Sequence, residues 1–183
     1  MNAKDAIRLA EVIPAWLEQN EKEMLFSLAK EVPENGHVVE VGCLYGGSTA
    51  LLGLGAATAK ITVFDDFSWS PLPEMVSSRE TLLANLAKIE LHNQIDVREG
   101  DSRTLAKGWT APIDLLWIDG GHSYEFIFSD LMHLGPSAQV IACHDFDNPV
   151  WPSIRKAVTD FIAQHPQWMI DTVAGTLVVL RRS

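Results

Sequence analysis

The sequence predicts an α/β fold: a single doubly wound, mostly parallel seven-stranded sheet that finishes in an antiparallel β-hairpin. Five short apolar runs alternate with stretches of helical periodicity, which calls for right-handed crossovers and a parallel sheet covered on both faces. Two more β-rich runs at the carboxyl end are separated by little more than Ala174-Gly175, a hairpin signal. The 183 residues match one domain, with no repeat, low-complexity tract or Gly/Ser linker to divide them. Residues 1–183 therefore read as one domain that begins with helices over about residues 1–35.

The elements follow in order. A first helical stretch is broken by Pro14, and Asn20 with Glu23 reads as an N-cap and its N3 partner. That cap opens a helix carrying Met24, Leu25, Leu28 and Ala29 on one face. His37 to Val41 is a buried strand, followed by a Gly-rich turn and an apolar helix from Thr49 to Ala57. Ile61 to Phe64 is the second strand. A Pro-rich loop then leads to a helix opened by Ser77 and Glu80 and running through Leu91. Gln94 to Arg98, Ile113 to Ile118 and Gln139 to Cys143 are further strands, with helices over Ser123 to Leu134 and Pro152 to Gln164. Trp168 to Val173 and Thr176 to Leu180 form the hairpin.

Composition narrows the function classes. Lys plus Arg is 14 against 24 for Asp plus Glu, a net charge of −10. A field of that sign repels phosphate backbones and anionic lipid, so neither nucleic acid nor a membrane surface is an expected partner. No apolar run approaches the roughly 20 residues that span a bilayer. The amino terminus carries acidic residues and lacks a signal-peptide core. The two cysteines, Cys43 and Cys143, sit inside apolar runs and do not form a disulfide framework. The expectation is a soluble, reduced, cytoplasmic protein acting on a small molecule.

Ligands of open α/β sheets bind beyond the carboxyl ends of the strands, beside the first strand. Here that end reads Val39-Glu40-Val41-Gly42-Cys43-Leu44-Tyr45-Gly46-Gly47-Ser48-Thr49. Gly42 allows a sharp turn, and Gly46 and Gly47 let the backbone approach a ligand. The spacing is close to a phosphate-binding loop, but Ser48 stands at the lysine position, and the GxGxxG pattern is absent. A cation-free loop preceded by Glu40 suits a positive ligand better than a pyrophosphate; the plain alternative is a tight turn with no ligand. Asp65-Asp66 ends the second strand, where a carboxylate can accept ribose hydroxyls or simply face water. Asp101-Ser102 follows the third strand and suits either an adenine amino group or a helix cap.

Strands four and five end in Asp119-Gly120-Gly121-His122-Ser123 and His144-Asp145, with Ser123 placed to cap the next helix. Neighbouring strands bring Asp119, His122, His144 and Asp145 to one rim. Such a set can hold a divalent cation, magnesium preferring the carboxylates and a histidine favouring manganese or another transition metal. Histidine as a residue type also titrates near neutrality, which suits His122 to proton removal. The structural alternative has Asp119 capping a helix and both histidines hydrogen-bonded in loops. The six tryptophans read as mostly core, with Trp69 and Trp151 the exceptions on the ligand-facing rim.

Taken together, these motifs resemble those of class I S-adenosylmethionine-dependent methyltransferases, and within them a group similar to macrocin O-methyltransferase and cephalosporin hydroxylase. The resemblance rests on Val39-Glu40-Val41-Gly42 with Gly46-Gly47-Ser48-Thr49, Phe64-Asp65-Asp66-Phe67, Gly100-Asp101-Ser102, Ile118-Asp119-Gly120-Gly121-His122-Ser123-Tyr124, and His144-Asp145. It covers about Trp16 to Leu180 and implies a Rossmann-like fold and S-adenosylmethionine as cofactor. It further implies that Glu40, Gly42, Tyr45, Gly46, Gly47 and Ser48 hold the methionine moiety, Asp65 and Asp66 the ribose, and Asp101 and Ser102 the adenine. Asp119 would lie beside the cofactor and, with His144 and Asp145, hold Mg or Mn, while His122 serves as base. Two departures are His144 in place of an acid, and Gly135-Pro136-Ser137-Ala138 in place of a Pro-Gly-Gly-like turn.

The expected reaction is O-methylation of a small hydroxylated acceptor, a sugar or catechol-like diol. The acceptor pocket is expected from the amino-terminal helices, the Ser68 to Met75 loop and the Asn148 to Trp151 loop, with or without completion by a homodimer. Other readings are a metal-dependent hydrolase or lyase using Asp119, His122, His144 and Asp145, a non-catalytic cofactor-binding subunit, and a nicotinamide dehydrogenase, the weakest without GxGxxG.

Overall fold

The computed structural model describes residues 1–183. Two helices, α1 (Ala3–Ala10) and α2 (Gln19–Glu31), precede β1 (His37–Val41) and α3 (Gly47–Gly55). There follow β2 (Lys60–Asp65), α4 (Arg79–Lys88), β3 (Gln94–Glu99) and the short α5 (Ser102–Leu105). Next come β4 (Ile113–Ile118), α6 (Tyr124–Leu134), β5 (Ala138–Cys143) and α7 (Pro152–Gln164). The chain closes with β6 (Trp168–Ala174) and β7 (Leu177–Arg182).

The strands form one sheet in the order β3-β2-β1-β4-β5-β7-β6. The first five are parallel, β7 pairs antiparallel with β5, and β6 pairs antiparallel with β7. The predicted fold class is the one observed. Strand order reverses beside β1, so the crevice lies between the exits of β1 and β4.

Side-chain alternation along each strand sorts the core onto two faces. Val38 of β1 packs with Ile7, Leu25, Leu51 and Leu82, the side of α1 to α4. Val39 and Val41 pack with Ile127, Leu131, Ala157 and Phe161, the side of α6 and α7. The same period places Glu40 on Val38's face, beneath α3, and this decides its role below.

Several boundaries differ from the sequence reading. The first helix ends at Ala10, well before Pro14. Glu18, not Asn20, stands at the N-cap of α2: the Glu21 carboxylate reaches back to the Glu18 N–H at 2.8 Å, while Glu23 takes the Gln19 side chain. Helix α3 starts at Gly47 and ends at Gly55, two residues ahead of the reading at each end. Helix α4 is capped by Ser78, whose hydroxyl accepts from the Thr81 N–H, and it stops at Lys88. Ser123 stands at the cap of α6, but its hydroxyl donates to Glu125 instead of accepting from the backbone. Trp16 is a third tryptophan outside the core, 50% exposed.

One core group is out of place by ordinary rules. Asp130 of α6 is fully buried and neither carboxyl oxygen has a hydrogen-bond partner. Burial pushes its pKa up to about 7. A raised folded-state pKa means the folded chain holds the proton more tightly than the unfolded one. The stabilisation is complete below the unfolded value of about 4 and is lost as pH rises through about 7. Asp130→Asn should therefore match wild type most closely near pH 4 and melt higher by at least about 2–4 °C near pH 8. A melting-temperature gap that does not grow between those pH values would contradict the burial argument.

Candidate functional site

The strand exits meet through backbone. Gly42 leaves β1 at φ +82°, and a Cβ there would lie 2.4 Å from the Asp119 carbonyl oxygen. The Asp119 N–H donates to the Val41 carbonyl at 2.8 Å, and the Gly42 N–H to Phe64 at 2.8 Å. Gly46, at φ +96°, caps α3, and Gly47 lies against Ala15 of the segment joining α1 to α2. That segment closes over the turn.

Asp65 fastens the turn from the neighbouring strand. Its Oδ2 accepts from the Cys43 and Leu44 N–H groups at 2.7 and 2.9 Å, and its Oδ1 from Phe67 at 2.7 Å. Asp66 is exposed and uses only Oδ1, on the Ser68 N–H. Asp101 caps α5 through the Arg103 N–H and also pairs with the Arg103 guanidinium at 2.6 Å. That guanidinium rests 3.7 Å over the Phe126 ring. The helix-cap alternative for Asp101 is thus present, although Asp101 and the buried Ser102 stay on the cavity wall.

Three residues expected at the ligand stand elsewhere. Glu40 is fully buried under α3, accepting from Ser48 and Thr49 hydroxyls at 2.5 and 2.6 Å. Burial raises its pKa to about 8, the two hydroxyls opposing that only partly. Tyr45 is also buried, its hydroxyl donating to the Met75 carbonyl at 2.9 Å and accepting from the Leu72 N–H at 3.2 Å. It anchors the loop after β2. Gly46 faces Leu82. None of the three lies on the cavity wall, because strand alternation and packing of the loop turn them inward.

The rim of β4 and β5 gathers the polar cluster. His144 Nδ1 lies 3.1 Å from Asp119 Oδ1 and 3.4 Å from Asp145 Oδ2, and its Nε2 lies 3.1 Å from Glu21 Oε2. The other Glu21 oxygen accepts from the Thr176 N–H and hydroxyl. His122 Nε2 lies 2.9 Å from Asp145 Oδ2, and Asn148 donates to Asp145 Oδ1 at 2.7 Å. Burial alone would lower the His144 pKa, but Asp119 and Asp145 outweigh it and raise it to about 11. Against the same burial, His122, His144 and Asn148 hold the Asp145 carboxyl well below the usual range. Asp119, partly exposed on the cavity wall but surrounded by protein, is pushed up by that burial despite His144.

Donor atoms of Asp119, His144 and Asp145 lie within 4.8 Å of one another. With Nε2–H donated to Glu21, the Nδ1 lone pair turns toward the two aspartates, the arrangement in which a carboxylate orients a metal-ligating histidine. Positive charge belongs at that point, either as a proton on Nδ1 or as a bound cation, so the residues fit a divalent ion. Glu21 was missed in the sequence. Its spacing from Glu18 suggests a cap, but nothing local reveals a contact with a histidine 123 positions away.

One cavity of about 710 Å³ takes in the strand exits and the polar cluster, a size usual for small-molecule sites. Gly42, Gly47, Asp65, Asp66, Asp119 and His122 lie on its wall. So do Trp16, Glu21, Trp69, Asn148 and Trp151, so the three segments expected to build the acceptor pocket do face Asp119.

A family model described as a methyltransferase domain matches residues 39–146. Among solved structures, the O-methyltransferase NovP is similar at a TM-score of 0.75 and 19% identity, over 90% of this chain and 80% of that one. Cofactor-bound Rv0187 from MTB is similar at 0.72 and 19%, over 98% and 87%. The O-methyltransferase TomG from Streptomyces achromogenes, solved with S-adenosylmethionine, is similar at 0.66 and 15%, over 99% and 89%. These likenesses are likenesses of fold.

The Gly42 contact yields a direct test. Gly42→Ala must hold a left-handed residue and push a methyl group into the Asp119 carbonyl, a cost of at least about 1–2 kcal/mol before any clash is counted. A fall in melting temperature of several degrees is expected, with faster amide exchange at residues 42–47. An unchanged melting temperature would show that the two exits are not in contact.

Proposed function

The chain belongs to the methyltransferase-domain family, and from that premise we propose that it carries a methyl group from S-adenosylmethionine to a hydroxyl oxygen of a small acceptor, a sugar or catechol-like diol. The observation that carries this reading is the convergence of the glycine turn and the Asp119, His122, His144, Asp145 cluster on one cavity. Oxygen as the methylated atom is supported by that proton-accepting cluster and by the printed descriptions of NovP and TomG as O-methyltransferases. The hydrolase, dehydrogenase and non-catalytic alternatives give way to the family match.

When bound, S-adenosylmethionine supplies a methyl on sulfonium sulfur; the S–C bond breaks as the acceptor O–C bond forms, and the electron pair leaves on sulfur. The backbone of Gly42 to Gly47 would approach the methionine moiety, with Asp65 and Asp66 at the ribose and Asp101 and Ser102 at the adenine. Glu40 acts one step back, fixing Ser48 and Thr49 at the start of α3. Held in line, the two substrates react with a barrier lowered mainly by alignment.

A divalent cation held by Asp119, His144 and Asp145 would lower the acceptor hydroxyl pKa and hold two vicinal oxygens. The nitrogen donor favours manganese or another transition metal over magnesium. His122, with Nε2–H donated to Asp145, keeps Nδ1 free to take the acceptor proton. Asp145 then stabilises the imidazolium, as a carboxylate does in other His–carboxylate pairs. We place all 183 residues in one cytoplasmic domain without nucleic-acid or membrane partners; no helix is long and apolar enough to cross a membrane.

Calorimetric titration of S-adenosylhomocysteine, with chelator and then with Mn²⁺, tests the reading. Cofactor binding in both, with a separate Mn²⁺ heat that Asp145→Ala removes, is the expected outcome. No binding of S-adenosylhomocysteine under either condition would defeat it. His122→Ala should keep cofactor affinity and lose about 10²–10⁴ in kcat, the range of a general base; loss of cofactor affinity would rule out that role.

A further inference from the structure

Trp117 and Trp168 are almost entirely buried, as large aromatic residues of a core should be. Trp16, Trp69 and Trp151 are 50%, 59% and 41% exposed, and all three line the cavity. An apolar surface left open on a concave wall marks a ligand contact more often than an accident of folding.

They stand at two ends of the mouth. Trp69 follows β2 and its ring lies 6.0 Å from that of Trp16. Trp151 follows β5, three strand spacings away, roughly 14 Å. Trp151 is the one beside the polar cluster: its indole stacks on the His122 ring at 4.8 Å and 27°. Its loop is braced to the same carboxylate as His122. Asn148 donates to Asp145, and the Trp151 N–H donates to the Asn148 carbonyl at 3.0 Å. The indole is thereby fixed relative to the proton-accepting group.

The charge of the wall is one-sided. The cavity is lined by Glu18, Glu21 and five aspartates, and by no lysine or arginine. A divalent cation and the single net positive charge of S-adenosylmethionine would offset three of these seven, and Arg103 offsets Asp101. A negative excess remains around whatever enters. Indole faces add to that field, since their quadrupole attracts cations.

We propose that Trp151 is the acceptor platform and that the acceptor it takes is a flat hydroxylated aromatic ring, uncharged or cationic, to the exclusion of carboxylated or phosphorylated ones. This rests on the methyl-transfer reading and narrows its substrate class. Catechol, dopamine and 3,4-dihydroxybenzoate share one reacting diol and differ in charge, so they serve as probes. They are titrated into Mn²⁺-containing protein saturated with S-adenosylhomocysteine, and their methylation is measured in parallel.

Catechol and dopamine should bind, with 3,4-dihydroxybenzoate at least about tenfold weaker at low salt and the gap shrinking by about 0.3 M salt. Trp151→Ala should weaken catechol and dopamine about tenfold and leave S-adenosylhomocysteine affinity and melting temperature in place, and Trp151→Phe should restore most of the loss. Dihydroxybenzoate binding as well as catechol would overturn the charge selection. Equal ring affinities in Trp151→Ala and wild type would overturn the platform. No ring ligand bound by protein that still binds S-adenosylhomocysteine would overturn the acceptor class and leave methyl transfer standing. Absence of S-adenosylhomocysteine binding would instead be the failure of the methyl-transfer reading.

Discussion

Between β1 and β4 the chain runs so close that Gly42 cannot carry a side chain without meeting the Asp119 carbonyl. The approach follows from strand order: the connection direction reverses beside β1, so no loop crosses between the two exits and the crevice stays open. Everything the site does is referred to this point. The glycine turn hangs from one side, and the Asp119 to His122 segment hangs from the other. Asp65 holds the turn through the Cys43 and Leu44 N–H groups, and the α1–α2 segment closes on Gly47 from above. Positioning of this kind suits alignment-controlled chemistry, in which the protein contributes geometry more than reactive groups.

The second organising contact is His144. A buried ring with carboxylates at both nitrogens cannot be neutral and uncoordinated without leaving an acceptor facing an acceptor. Its partners come from α2, β4 and β5, so the charge at Nδ1 is tied to the amino-terminal helix as firmly as to the sheet. Through Thr176, Glu21 also reaches the hairpin turn. Helix α2 and the segment that leads into it are thus part of the wall of the cavity.

How much of this was legible in the sequence depends on the range of the signal. Strands His37–Val41 and Ile113–Ile118 and helix Pro152–Gln164 match the reading residue for residue, because a continuous apolar run or a strong period carries its own boundaries. Caps shifted by one or two residues: Ser77 and Ser78 are the same residue type, and Glu18 takes the place of the intrinsically better cap Asn20 because Glu21 reaches back to its N–H. The rim of Asp119, His122, His144 and Asp145 was legible because adjacent strands bring their ends together. Glu21 and Trp16 were not, being placed by the docking of α2 onto the sheet, which no local pattern encodes.

Acidic residues at strand ends show most clearly where residue type stops predicting role. A carboxylate beyond a strand can face a ligand, or it can satisfy the N–H groups that a turn leaves unpaired. Asp65, Asp101 and Glu21 accept from backbone groups, and Glu40 is turned under α3 by the alternation of β1. Asp66, Asp119 and Asp145 also line the cavity, Asp145 with both oxygens bonded to side chains and Asp66 with one oxygen on the Ser68 N–H. Yet the first three still contribute charge to its wall, since hydrogen bonding fixes a carboxylate without removing its field. The geometry of the turn and the sign of the pocket therefore have one source. Residues that hold the backbone in shape also set which charges can enter.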